Sequence, residues 1–317
     1  MKNTHIIILL TLVLLLNSCK EEVDCLQLKE ENDLTYVSSE ASPFSGTCKE
    51  NIYGINKEIE YQNGKIDGTY TSWDENGNKT YEDNFKEGKR NGKSTIWYNN
   101  GEKSEEKNYV NGKKEGKSLS WYPKGQKQKE CNFKDDKLDG KLQEWYENGQ
   151  KEKETEYSDG LIHGKWLTWY EDGNIKDNGE YIKDNKVGKW KSWHDNGKKE
   201  SEGEYINNAK HGEWITWYEN ENIKEKGTFV EGKKENVWIT WYEDNHKKTI
   251  CEYVDGKKNG KFISFFKDGN KNIEGQYVNG VKEGRFIIWS KNKEKQVVVY
   301  KNGSLKDSVE EEGVPVF

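Results

Sequence analysis

The sequence predicts an all-β fold: an elongated array of 24-residue β-hairpins laid out as a single-layer antiparallel meander sheet. Three observations predict it. Glycines recur at Gly68, Gly92, Gly116, Gly140, Gly164, Gly188, Gly212, Gly260 and Gly284, spaced by 24 residues or its multiple, with Asn236 in the one missing slot. Five residues after each start stands Trp73, Trp97, Trp121, Trp145, Trp169, Trp193, Trp217, Trp241, Phe265 or Trp289. Seventeen residues after each of the first nine stands Phe85, Tyr109, Phe133, Tyr157, Tyr181, Tyr205, Phe229, Tyr253 or Tyr277, and no insertion breaks the register across the ten starts. A period of this length is the signature of a repeat architecture, so the chain counts as one array rather than as a set of globular domains.

Within one unit, Gly164 to Val187, each element follows from its residues. Lys165 to Tyr170 carries Trp166, Leu167, Trp169 and Tyr170 and ends in Glu171-Asp172-Gly173. Asn174 to Lys183 centres on Tyr181 and ends in Asp184-Asn185. Aromatic and β-branched runs closed by residues that tolerate positive φ read as hairpins. Side chains alternate along a strand, which sets Trp166, Thr168 and Tyr170 on one face and Leu167 and Trp169 on the other. Both faces then carry aromatics, and ladders of like residues on neighbouring hairpins would hold a single layer together.

Composition alone points elsewhere, since 34% of residues are charged and high charge leans towards disorder. Yet all 13 tryptophans lie either two or five residues after a repeat start, a register that a disordered chain has no reason to keep. The 51 Lys and Arg against 57 Asp and Glu are mixed along the chain and give a net charge of −6. There is no basic block for a nucleic-acid backbone.

The ends differ from the array. Met1-Lys2 and the apolar run Ile6 to Leu16 read as a signal peptide, residues 1–18, with a core too short to span a bilayer comfortably. It closes in Leu16-Asn17-Ser18-Cys19, which resembles the lipobox of bacterial lipoproteins and implies cleavage before Cys19 and lipidation of that residue. Two or more acyl chains give stable anchoring where one does not. Lys20-Glu21-Glu22 resembles a surface-export signal of some Gram-negative lipoproteins. The expected location is therefore an exported bacterial lipoprotein in the outer membrane, with display at the cell surface as an open option. Residues 19–44 lack periodicity and read as a tether, 45–308 as the array of about ten full repeats with partial terminal ones, and 309–317 as a C-terminal tail.

Cys25 and Cys48 flank the tether and are candidates for a disulfide in an oxidising compartment. Cys131 and Cys251 occupy a slot fifteen residues after a start that elsewhere holds Gly179, Gly203, Gly227 or Gly275, so both read as small buried fillers. Five repeats separate them, about 48 Å at ~4.8 Å per strand, far outside disulfide reach.

The stretches Gly140-Lys-Leu-Gln-Glu-Trp-Tyr-Glu-Asn-Gly149 and Gly212-Glu-Trp-Ile-Thr-Trp-Tyr218 resemble the MORN-variant repeat of bacteria, which includes proteins labelled YwqK-type antitoxins. The resemblance runs from about Gly46 to Ser308 and implies stacked hairpins in one layer. Asn236, Glu221, Asn245 and Lys293 each replace a glycine of the pattern, which marks the repeat from Asn236 as a candidate irregularity; after Trp289 one residue is missing.

No catalytic grouping emerges. The histidines lack Cys or His partners at metal spacing, no Cys-His arrangement supports a nucleophile, and no phosphate-binding loop is present. No enzyme activity, cofactor or nucleic-acid partner is expected. The one candidate binding feature is a stripe two residues after the later starts: Trp166, Trp190, Trp214, Trp238, Phe262 and Phe286, where earlier units have Tyr70, Ser94, Ser118 and Leu142. Exposed, it would form an apolar groove for a protein segment or a glycan; packed under neighbouring hairpins, it is core. The leading expectation is a non-enzymatic, lipid-anchored scaffold for protein–protein interaction at the cell envelope. An antitoxin or immunity protein that neutralises a toxin, and a carbohydrate or choline binder, are the alternatives.

Overall fold

The computed structural model describes residues 21–310, with side chains to 306. The chain falls into two compact units, residues 21–102 with 109–112 and residues 103–108 with 113–310. In both, consecutive strands pair antiparallel, hairpin after hairpin, with the 24-residue period of the sequence. This is the meander that the aromatic and glycine register predicts.

One hairpin of the second unit shows how the repeat is built. Strand Leu161–Trp169 pairs with Ile175–Ile182, with Trp166 opposite Gly179 and Gly164 opposite Tyr181. The turn between them closes with Tyr170 N–H donating to the Asn174 carbonyl at 2.8 Å and Gly173 N–H to the Tyr170 carbonyl at 2.9 Å. The register slips between Thr168 and Trp169, a bulge that recurs before Trp73 and before the aromatic of every repeat from Trp121 to Phe265. The last repeat has no such slip, and Ile288 and Trp289 pair directly with Gln296 and Lys295. The residue missing after Trp289 is thus the bulge residue, and the pairing continues without it.

The substituted glycines do not disturb the sheet. Glu221, Asn245 and Lys293 take φ of 68°, 67° and 67°, and Asn236 takes 59°. Asn236 still pairs with Tyr253 as the starting glycines pair with their tyrosines. The irregularity expected there is absent, because an asparagine reaches the left-handed region at small cost.

Residues 21–44, expected as a tether, carry structure over their described part. Glu21–Asp24 pairs parallel with Gly46–Ile52, and Leu28–Glu31 forms a small hairpin with Leu34–Val37. Between them a short 3-10 turn, Cys25–Gln27, is capped by the Asp24 side chain. Cys25 and Cys48 are joined, with Cα atoms 4.9 Å apart. Val37, Phe44 and Cys48 are buried together, with Val23, Leu28, Ile59 and Tyr61 against them. Strands of four residues are too short to show a period in the sequence, and the disulfide and the Phe44 plug hold them. They cover the edge strand of the first hairpin, a common device against unwanted strand pairing. Cys19, the signal peptide and the C-terminal residues 311–317 lie outside the described residues.

Candidate functional site

The face that carries Trp166 is organised by a size trade between two slots. Trp190 lies on Gly179, Trp214 on Gly203, Trp238 on Gly227 and Phe286 on Gly275; a Cβ on any of these glycines would stand 2.2–2.4 Å from the ring. None of the four has positive φ, so close approach, not turn geometry, requires glycine there. In two earlier repeats a larger lower slot goes with a smaller upper one: Asp83 pairs with Ser94, and Cys131 precedes Leu142 by the same spacing.

This packing decides the fate of the stripe. Trp190, Trp214, Trp238 and Phe286 are exposed by 5% or less, while Trp166 and Phe262, which stand opposite Thr155 and Cys251, are partly buried. The stripe is core, not an open groove. Its rings alternate edge-to-face with the tyrosine-slot aromatics, Trp166–Tyr181–Trp190–Tyr205–Trp214–Phe229–Trp238–Tyr253, at centroid distances of 4.8–6.5 Å. Each such contact adds about 0.5–1.5 kcal/mol beyond area burial. The indole N–H groups are satisfied as well: Trp214 donates to the Glu204 carbonyl and Trp238 to the Thr228 carbonyl, both at 3.1 Å.

Over this ladder runs a row of lysines that the sequence reading did not single out. Lys186 sits 4.1 Å above the Trp190 ring, Lys210 4.1 Å above Trp214, Lys234 3.9 Å above Trp238, Lys258 4.9 Å above Phe262 and Lys282 5.2 Å above Phe286. Each also covers the next tyrosine-slot ring, at 4.6–5.6 Å. The signal was available: all five stand two residues before a start. Their backbones are fixed by the following turn, where Asn208, Gly232, Gly256, Gly280 and Gly303 donate N–H to the carbonyls of the five lysines in order, at 2.8–3.1 Å. Burial holds the Lys210 ammonium below the usual lysine range; Glu225 opposes this, and the neighbouring Lys234 and Lys186 reinforce it.

A second ladder ties each of these repeats to the next, through the residue that follows the tryptophan. The Tyr122, Tyr146, Tyr170, Tyr218 and Tyr242 hydroxyls donate to the carbonyls of Trp145, Trp169, Trp193, Trp241 and Phe265 at 2.8–2.9 Å. His194 takes the tyrosine place in its repeat, with Nε2 3.1 Å from the Trp217 carbonyl oxygen. That histidine is a structural substitute.

The first unit holds an open cavity of about 500 Å³ bordered by Lys57, Ile66, Tyr70, Tyr81, Phe85 and Arg90. Beneath Arg90 lies the wholly buried Asp83, 2.6 Å from Arg90 Nε. Arg90 also donates to the Tyr81 hydroxyl at 2.9 Å, and Tyr81 bonds Asp83. Burial first, then the Asp83 carboxylate, pushes the Tyr81 hydroxyl up to about 12.

Cys131 and Cys251 are free, buried thiols, raised by burial. Among the described residues, no group of three or more His, Cys, Asp and Glu side chains could hold a metal ion.

No curated protein matches the chain. Among solved structures it is similar to a chain of the crystal structure of TcdB2-TccC3, at 11% identity over 80% of this chain and 17% of that one, with a TM-score of 0.18. The chain thus spans less than a fifth of that protein, and a likeness so slight carries no argument. The family described as MORN repeat variant matches residues 66–87, 90–111, 114–135, 138–159, 162–183, 186–207 and 210–231. The matches start 24 residues apart, one to each period, and the same hairpin register continues beyond the last of them to Trp289. Seven tandem matches in step with the observed hairpins make this chain a MORN-repeat protein.

Proposed function

We propose that this MORN-repeat protein is a non-enzymatic scaffold, held by lipid on Cys19 at the bacterial cell envelope, that binds another protein along its repeat surface. The observation that carries the reading is the row of lysines over aromatic rings, repeated at one slot through five consecutive hairpins. A periodic surface suits an extended partner better than a small substrate, because each repeat offers the same contact. The anchor rests on Leu16-Asn17-Ser18-Cys19 and the export signal before it.

The test is affinity capture of the tagged full-length protein from a detergent-solubilised envelope fraction of the native cell. The reading predicts a partner at near-stoichiometric yield. Recovery of no specific partner overturns it. A toxin as that partner would turn the scaffold into an immunity protein.

A second reading has one observation in its favour. The cavity beside Arg90 joins ring faces with hydroxyl and cationic donors, a combination suited to a sugar. It is a poor choline site, because Arg90 and Lys57 on its rim would repel a quaternary ammonium. Titration with oligosaccharides, read by tyrosine and tryptophan fluorescence, separates the two ligands.

A further inference from the structure

On the face that carries the stripe, strand positions from Gly164 to Ile288 place five lysines: Lys186, Lys210, Lys234, Lys258 and Lys282. Among the described residues, the carboxylates paired in register on that face over the same hairpins are Asp177 and Glu225, and Glu200 stands at a bulge of the same strands near Tyr170. Thr168 donates to Asp177 at 3.0 Å, and Lys234 is ion-paired with Glu225. A chain whose net charge is −6 therefore carries a locally cationic rail. The lysine ammonium groups sit over ring faces and their carbonyls are pinned by the next turn, so less freedom is lost when an anion is met.

The spacing of the rail is set by the sheet. One repeat contributes two strands, and two strand spacings amount to ~9.6 Å. That step selects a partner conformation. A β-strand turns successive side chains to opposite sides, so its every third residue faces away from the rail. A polyproline II segment has three residues per turn at 3.1 Å rise and returns the same side every ~9.3 Å. The two periods differ by ~0.3 Å per repeat, which flexible lysine side chains absorb over five repeats. Hydroxyl pairs lie on the same face, with Ser192 and Ser201 2.7 Å apart and Thr240 and Thr249 2.6 Å apart, and offer further donors and acceptors to an extended backbone.

We infer that the lysine rail receives an acidic polyproline II segment of a partner protein, with a carboxylate at every third residue set against Lys186, Lys210, Lys234, Lys258 and Lys282. This rests on the scaffold reading and narrows its partner class. Recognition would be electrostatic and periodic rather than by deep pockets, since the aromatic rings beneath the lysines are already packed.

The experiment uses the full chain and two fluorescent peptides of equal length and composition, rich in proline. One carries five glutamates at every third residue; the other carries the same five in one block. Fluorescence anisotropy at low and at physiological salt is the readout. The periodic peptide is expected to bind roughly ten-fold tighter than the block peptide, and to weaken as salt rises. Lys186→Gln, Lys258→Gln and Lys282→Gln together are expected to weaken it about ten-fold, from three ion pairs of under ~1 kcal/mol each. The matching Lys→Arg triple keeps the charge and should bind within about three-fold of the parent, which excludes a folding defect as the cause. Equal affinity for both peptides, indifference to the glutamine triple, or binding only to phosphatidylserine vesicles overturns the inference. A captured partner whose binding ignores the glutamine triple would sink this inference and leave the scaffold reading standing; no partner and no peptide binding would remove both.

Discussion

Replacing Gly203 by alanine tests the packing that turns the tryptophan stripe into core. A Cβ at Gly203 would stand 2.2 Å from two atoms of the Trp214 indole, where ordinary carbon contacts are about 3.5–4.0 Å. The ring would have to retreat by more than ~1 Å. Its room is limited, because Tyr205 lies 5.1 Å and Phe229 6.2 Å away edge-on, and Lys210 covers its face. Overpacking of this kind costs about 1–3 kcal/mol. Alanine returns about 0.4–1 kcal/mol by restricting the unfolded chain, since the φ at Gly203 is not left-handed. The net expectation is a loss of about 1–2 kcal/mol.

Steric origin is established by a double-mutant cycle. Trp214→Leu alone is destabilising, because it removes ring contacts, but it makes space above Gly203. In that background Gly203→Ala should cost under ~0.5 kcal/mol, a coupling of about 1–2 kcal/mol between the two positions. Urea unfolding followed by tryptophan emission and far-ultraviolet circular dichroism measures it, provided that the slopes agree among variants. Equal cost of Gly203→Ala in both backgrounds, or no cost with Trp214 in place, would refute the argument.

Other consequences follow from single contacts. Tyr170→Phe removes the hydroxyl that donates to the Trp193 carbonyl at 2.8 Å and should cost about 1 kcal/mol in the same urea assay. Glu221→Gly relieves a left-handed glutamate at φ 68°; the strain released, about 1–2 kcal/mol, exceeds the added chain entropy, so a gain of about 0.5–1 kcal/mol is expected. The Glu154 carboxyl is lowered to about 2, first by the hydrogen bond from Lys151, with burial opposing and Lys141 and Gln143 adding. Its folded value is depressed, so its contribution is complete above the ordinary 4.5 and fades as pH falls through about 2. The advantage of the parent over Glu154→Gln, under ~1 kcal/mol for a half-buried surface pair, should vanish in acid melts near that lower limit. Reduction of Cys25–Cys48, which closes a 23-residue separation, should destabilise the first unit by about 3 kcal/mol, measured by thermal melts with and without reductant.

The hairpin period, the strands and the turns were legible because repetition averages out local ambiguity: ten starts, each followed five residues on by Trp or Phe, leave little choice of register. Residues 21–44 were not legible, because their four-residue strands carry no period and owe their order to Phe44, the disulfide and pairing with Gly46–Ile52. The lysine row was visible as a period, but its meaning was not. Sequence spacing does not say that a residue two before one start covers the ring two after it.

What the sequence determined by itself is the repeat: the length of the unit, the side of the strand on which each aromatic lies, and the slots that demand glycine for a turn. What only the tertiary structure decided is which aromatics meet water. A stripe at Trp166 to Phe286 is equally consistent with groove and core until the facing slot is known. Gly179, Gly203, Gly227 and Gly275 let the rings fall onto the backbone, and the lysines close over them. Strand alternation is a local property of the chain, whereas burial depends on what a neighbouring hairpin places opposite each ring.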